Sequence, residues 1–162
     1  MIRTIHDFLD RWKGETEATL RIFNSLTDES LQVAIPGGRT LGRLANHIVE
    51  TVTELPSKLG LPIKEEFVTY TTVQELVTHY KKNSDLLVGA IISNWDESNL
   101  EEVHNLYGDD WKNGFSLWVL LIHQTHHRGQ MTVLMRMAGL KVPGIYGPSK
   151  EEWEAWGKEA LA

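Results

Sequence analysis

FSLWVLLIHQTHHRGQMTVLMRM, residues 115–137, reads as one long helix closed by Gly139. It has the length and apolar content of a bundle helix, and it carries His123, His126 and His127 within five residues. Its apolar run, Leu117–Ile122, ends at His123 and falls far short of the ~20 apolar residues that span a bilayer. Three further amphipathic segments precede it. Residues 2–26 place Ile5, Phe8, Leu9, Trp12, Leu20, Phe23 and Leu26 on one face, with Gly14 as a weak point. Thr40 can cap a second helix, Leu41–Leu55, whose stripe is Leu41, Leu44, Ala45, Ile48, Val52 and Leu55. Pro56 and the Gly60-Leu61-Pro62 turn close it.

Thr72-Val-Gln-Glu75 has capping-box spacing and opens a third helix with Val73, Leu76, Val77, Tyr80, Leu87, Ile91 and Trp95 inward. Ser149-Lys-Glu-Glu152 is a second capping box, opening a short last helix with Trp153, Trp156 and Leu161. Residues 96–114 are acidic and turn-like, and no segment shows convincing strand alternation. The expectation is an all-α fold, one four-helix bundle domain over residues 1–162 with a short C-terminal helix. The long connections at 56–71 and 96–114 argue against a plain series of hairpins.

Composition narrows the function. Hydrophobic residues make up 41% of the 162 and charged residues 23%, the proportions of an ordinary globular domain. The formal net charge is −6 and no Lys/Arg cluster is present, which speaks against a nucleic-acid partner. With no cysteine, disulfides, thiolate metal sites and a cysteine nucleophile are excluded. The opening MIRTIHDFLDRWKGE lacks a continuous apolar core of signal-peptide type, so a cytoplasmic location and no membrane partner are expected.

Two imidazoles four apart on a helix lie one turn above each other and can grip one cation. His123 and His127 have that spacing; His126, three from His123, is the alternative partner. Sequence position favours 123/127. His47, at the border of the second helix's apolar stripe, can supply a third imidazole from a facing helix. Three neutral imidazoles leave a divalent ion its full charge and an open coordination position. His6, His79 and His104 lack partners at useful spacing and read as surface or hydrogen-bonded residues.

The run His123-Gln-Thr-His-His-Arg-Gly-Gln130, followed by Arg136, Gly139 and Pro143-Gly-Ile-Tyr-Gly-Pro148, resembles the DinB/YfiT-like superfamily, and Leu44-Ala-Asn-His47 matches its earlier signature. The resemblance runs from the first helix to Tyr146. It implies a four-helix bundle with a crossover connection, one divalent metal ion (nickel or zinc) on His47, His123 and His127, and a homodimer. It also implies a metal-dependent transferase that joins a low-molecular-weight thiol, such as bacillithiol or mycothiol, to a small electrophilic substrate. One position departs from several relatives. Gln124 stands where they place Glu, so a carboxylate general base is missing there and a hydrolase reading loses support.

Arg128 could anchor an anionic substrate or a thiol's carboxylate; equally, it could pair with an acidic residue. Trp111, Trp118 and Trp153 are candidates for lining a pocket. Two functions follow, a thiol S-transferase or a non-catalytic metal-binding stress-response module. A partly apolar pocket beside the metal position favours the first, and a fourth protein ligand the second.

Overall fold

The computed structural model describes residues 2–65 and 67–160; Leu161, expected in the last helix, lies outside them. Helix α1 spans Ile5–Phe23, capped by Thr4, whose hydroxyl accepts the Asp7 N–H at 3.0 Å. Helix α2 spans Leu41–Lys58 from a Thr40 cap, and α3 spans Val73–Asn94 from the complete Thr72/Glu75 capping box. Helix α4 spans Asn113–Met137, and α5 is the short Lys150–Ala155. Gly139, at φ 71°, closes α4 in a Schellman arrangement: its N–H reaches Arg136 O at 3.1 Å while Leu140 N–H reaches Met135 O at 2.9 Å.

Two expectations are corrected. Helix α2 does not stop at Leu55 but runs through Pro56 to Lys58. The proline sits in the last turn, where its carbonyl accepts the N–H of Leu59 at 3.1 Å and the chain is already closing. Residues 96–114 are not only turns. A 3-10 turn at Glu97–Glu101 leads into an antiparallel hairpin, β1 (Val103–Leu106) and β2 (Asp109–Lys112). Its two-residue loop, Tyr107-Gly108, has positive φ at both positions, 57° and 94°, which suits the right-handed twist of a hairpin.

Helix α1 packs on α3 and α4, and α2 packs on the same two, so α1 and α2 stand diagonally across the bundle. The connections from α1 to α2 and from α3 to α4 therefore both cross a diagonal. That accounts for the long 96–114 connection and agrees with the expected crossover, whereas the 56–71 connection, also long, joins α2 and α3, which pack directly. The core is continuous: Phe8 stacks on Trp12 at 5.7 Å, and Phe23 meets Tyr80 edge-on at 5.5 Å. Trp12 donates its indole N–H to Ser84 Oγ at 2.8 Å, so the buried ring keeps its hydrogen bond. No helix of the described residues is long and apolar enough to cross a membrane.

The C-terminal tail is held by polar contacts, since α5 buries no residue. Arg136 on α4 pairs with both oxygens of Glu151, and Glu152 accepts the Gly144 N–H at 3.0 Å. The Arg136 guanidinium holds the Glu151 carboxyl at about 2, below its ordinary 4.5. A depressed carboxyl stabilises the folded form fully above its ordinary pKa and loses that contribution as pH falls toward 2. Hydrogen exchange should therefore show the 142–155 segment losing protection as the pH falls from about 4.5 to 2. Glu151→Gln should show the same loss already at neutral pH; unchanged protection in that variant contradicts the assignment.

Candidate metal centre

Helix α2 supplies His47 and α4 supplies His123 and His127, and one ring nitrogen from each lies within 4.8 Å of the others. His123 Nε2 is 3.3 Å from His47 Nε2 and 3.1 Å from His127 Nε2. His127 is buried and the other two are half-buried. His126 is exposed; its ring touches that of His127, with centroids 4.9 Å apart, but it is not part of the converging group. Of the two pairings open from spacing, the fold thus brings 123 and 127 together with 47.

The outer nitrogens are held by Gln130, quoted above in the motif without a role, and by Glu50, which sequence reasoning did not single out. Gln130 Oε1 lies 2.8 Å from His127 Nδ1, so Nδ1–H donates to it and the Nε2 lone pair faces inward. Glu50 Oε2 lies 3.5 Å from His47 Nδ1 and accepts from Arg43 at 2.9 Å. Each of these partners follows its histidine by three residues on the same helix. That spacing was the available signal, but it is common on any polar helix face.

Burial lowers the pKa of all three rings. His123 falls to about 4, chiefly through desolvation and then through the positive charge that His127 and His47 would carry. Burial also leads for His47, followed by Arg43, and for His127. Neutral rings turned this way bring acceptor lone pairs face to face, an arrangement that a cation satisfies. The residues therefore fit a divalent metal ion, and no fourth His, Cys, Asp or Glu joins the group among the described residues.

A cavity of about 360 Å³ adjoins the triad, with His47 and His123 in its wall. Helices α2 and α4 contribute Leu55, Val119 and Leu120; the hairpin contributes Tyr107 and Trp111; Glu54 is the carboxylate in the lining. Of the three tryptophans expected near a pocket, only Trp111 reaches this one. Trp118 lines a separate cavity beside Glu15 and Tyr146, and Trp153 packs edge-on against Trp156.

Arg128 points away from the triad. It is buried at 2% exposure, pairs with Glu15 of α1, and donates to Thr19 Oγ1 and Tyr146 Oη, each at 2.9 Å. It ties α4 to α1 and to the tail. The remaining histidines stay apart from the triad: His6 is exposed, and His79 stacks on Tyr70 at 4.2 Å. His79 and His104 are half-exposed, and His79 Nδ1 and His104 Nε2 are buried without a hydrogen-bond partner among the described residues.

The DinB family matches the chain over residues 1–159. The uncharacterized protein YrdA of Bacillus subtilis (strain 168) is 44% identical over 164 residues, covering 99% of this chain and 98% of that protein. The crystal structure of a DinB-like protein from Bacillus cereus ATCC 10987 superposes with a TM-score of 0.84 at 42% identity, over 90% of this chain and 100% of that one. A second DinB-like crystal structure, YjoA from Bacillus subtilis, gives a TM-score of 0.70 at 14% identity over 88% and 99% of the two chains, a likeness of fold alone.

Breaking a buried ion pair from one side is strongly destabilising. Arg128→Met should lower unfolding stability by about 3 kcal/mol, the lower end for such pairs because Glu15 keeps access to solvent and to Tyr146. Chemical denaturation reads this. An unchanged midpoint would show that Arg128 is no strut and return it to the candidates for ligand anchoring.

Proposed function

The chain belongs to the DinB family, and from that premise we propose that His47, His123 and His127 hold one divalent cation, nickel or zinc, in a thiol S-transferase. The observation that carries this reading is the convergence of three ring nitrogens beside a cavity, with no fourth His, Cys, Asp or Glu among the described residues. A structural site closes its coordination with protein ligands, whereas a catalytic one keeps a position open. The ion supplies positive charge that lowers the pKa of a thiol in the cavity.

The chain's own residues do the rest. Three uncharged imidazoles leave the positive charge undiminished, and Gln130 and Glu50 hold two of the rings in orientation. Leu55, Val119 and Leu120 keep the cavity partly apolar, which strengthens electrostatic contacts inside it. The reaction joins the thiol sulfur to an electrophilic carbon: the S–H and C–X bonds break, an S–C bond forms, and a proton and X⁻ leave. No cysteine of the chain competes for the ion.

Metal titration by calorimetry tests the centre. His47→Ala, His123→Ala and His127→Ala should each abolish tight uptake of one ion per chain, and the exposed His126→Ala should keep it. Loss in His126→Ala with retention in His127→Ala contradicts the assignment. Cobalt-loaded protein tests the chemistry. A small thiol should produce a thiolate-to-metal absorption band that grows with pH as the thiol deprotonates. Full metal binding with no band across a panel of thiols favours a non-catalytic metal-binding module instead.

A further inference from the structure

Glu54 and the hairpin tip form a rim to the cavity that the transferase reading leaves unused. Glu54 follows His47 by seven residues, two turns along α2, so both face the same cavity. Its carboxylate already holds an ammonium: Lys58 Nζ lies 2.5 Å from Glu54 Oε1 and 5.2 Å from the centre of the Tyr107 ring. Carboxylate on one side and aromatic face on the other is the environment that recognises alkylammonium groups. The Trp111 ring stands 5.7 Å from that of Tyr107 and lines the same cavity.

Three features indicate that this rim serves more than Lys58. First, Tyr107 occupies the left-handed region at φ 57°, where a bulky side chain is disfavoured and Asn or Gly is usual. The ring is thus placed at the cavity mouth against local backbone preference, a pattern found at ligand sites. Second, a further carboxylate is close: Glu65 accepts from Ser57 Oγ at 2.8 Å, and its charge reaches Lys58 after the larger contributions of Glu54 and Tyr107. Third, Lys58–Glu54 is a partly exposed pair four apart on a helix, a contact that gives way readily because hydration and side-chain entropy offset most of its attraction.

We propose that the rim formed by Glu54, Tyr107 and Trp111 seats a primary ammonium of the incoming molecule, so that the thiol used at the triad is an aminothiol. This rests on the transferase reading for the sulfur end only; the ammonium seat stands by itself. Seven residues of helix rise about 10 Å, so the amine and the sulfur sit at opposite ends of a chain several atoms long rather than two. Lys58 then acts as a displaceable occupant of the seat.

Two sets of probes separate the seat from the sulfur chemistry. In NMR titrations of the purified protein, n-hexylammonium should bind more tightly than 1-hexanol or hexanoate. Glu54→Gln should weaken n-hexylammonium about tenfold, the size of one charge-assisted hydrogen bond. Lys58→Gln, which removes the internal competitor, should strengthen it, a gain that loss of folding could not produce. In the cobalt protein, 6-aminohexanethiol should saturate the thiolate band at lower concentration than 6-mercaptohexanol or 6-mercaptohexanoate, and Glu54→Gln should remove that advantage. Amine preference without any band leaves the seat standing and removes the transferase reading. Equal bands for the three thiols, or no amine preference in wild type, overturn the seat.

Discussion

The side-chain amide of Gln124, fully buried between α2, α3 and α4, sets the position on which the candidate centre depends. Its Nε2 donates to Ile48 O at 3.2 Å and to Thr51 Oγ1 at 3.0 Å, both on α2, and its Oε1 accepts from Tyr80 Oη of α3 at 3.3 Å. Leaving such a buried group unpaired costs about 1–3 kcal/mol, so the amide selects one register of α4 against α2. Ile48 follows His47 and Gln124 follows His123. The same contact therefore brings those two imidazoles together edge-on, with their Nε2 atoms 3.3 Å apart. Gln124 thus serves the site by fixing its geometry.

Helix α4 keeps two chemistries apart. Toward α2 it presents His123, Gln124 and His127, groups held neutral by burial or by constitution. Toward α1 and the tail it presents Thr125 and Arg128, joined to Glu15 and Tyr146 in a charged network. On the second side the Arg128–Glu15 pair binds elements together; the charged pair that touches the triad, Arg43–Glu50, belongs to α2. The hairpin closes the arrangement by carrying Tyr107 and Trp111 over the end of α2, where α2 and α4 alone would leave the cavity mouth without aromatic walls.

Much of this was legible in the sequence because helices announce themselves. The apolar stripes of α1 to α4, the Thr40 cap, the Thr72 and Ser149 capping boxes and the Gly139 stop all depend on local spacing, and local spacing is what a sequence displays. Spacing left His126 and His127 as α4 partners of His123, and position and the family resemblance favoured His127; the fold buries His127 and exposes His126. The hairpin was not legible. Its strands are four residues each with only Leu106 buried, so they show no alternation, and Tyr-Gly replaces the usual Asn-Gly loop. Pro56 signalled an end three residues early: it forfeits its own N–H bond, yet the turn after it still closes, with Leu59 N–H on Pro56 O. Glu54 gave no sign, since a carboxylate two turns after a histidine looks like any solvated face. Arg128 read equally well as anchor or strut until Glu15, 113 positions away, was placed beside it.

The account turns on three imidazoles meeting at one ion with a position left free. X-ray absorption spectroscopy of the nickel- or zinc-loaded protein measures this directly. The account predicts three imidazole nitrogens at about 2.0–2.1 Å together with at least one exchangeable light ligand, and one sulfur at about 2.3 Å after a thiol is added. A first shell with only two imidazoles, or one closed by a fourth protein donor that added thiol does not displace, would contradict it.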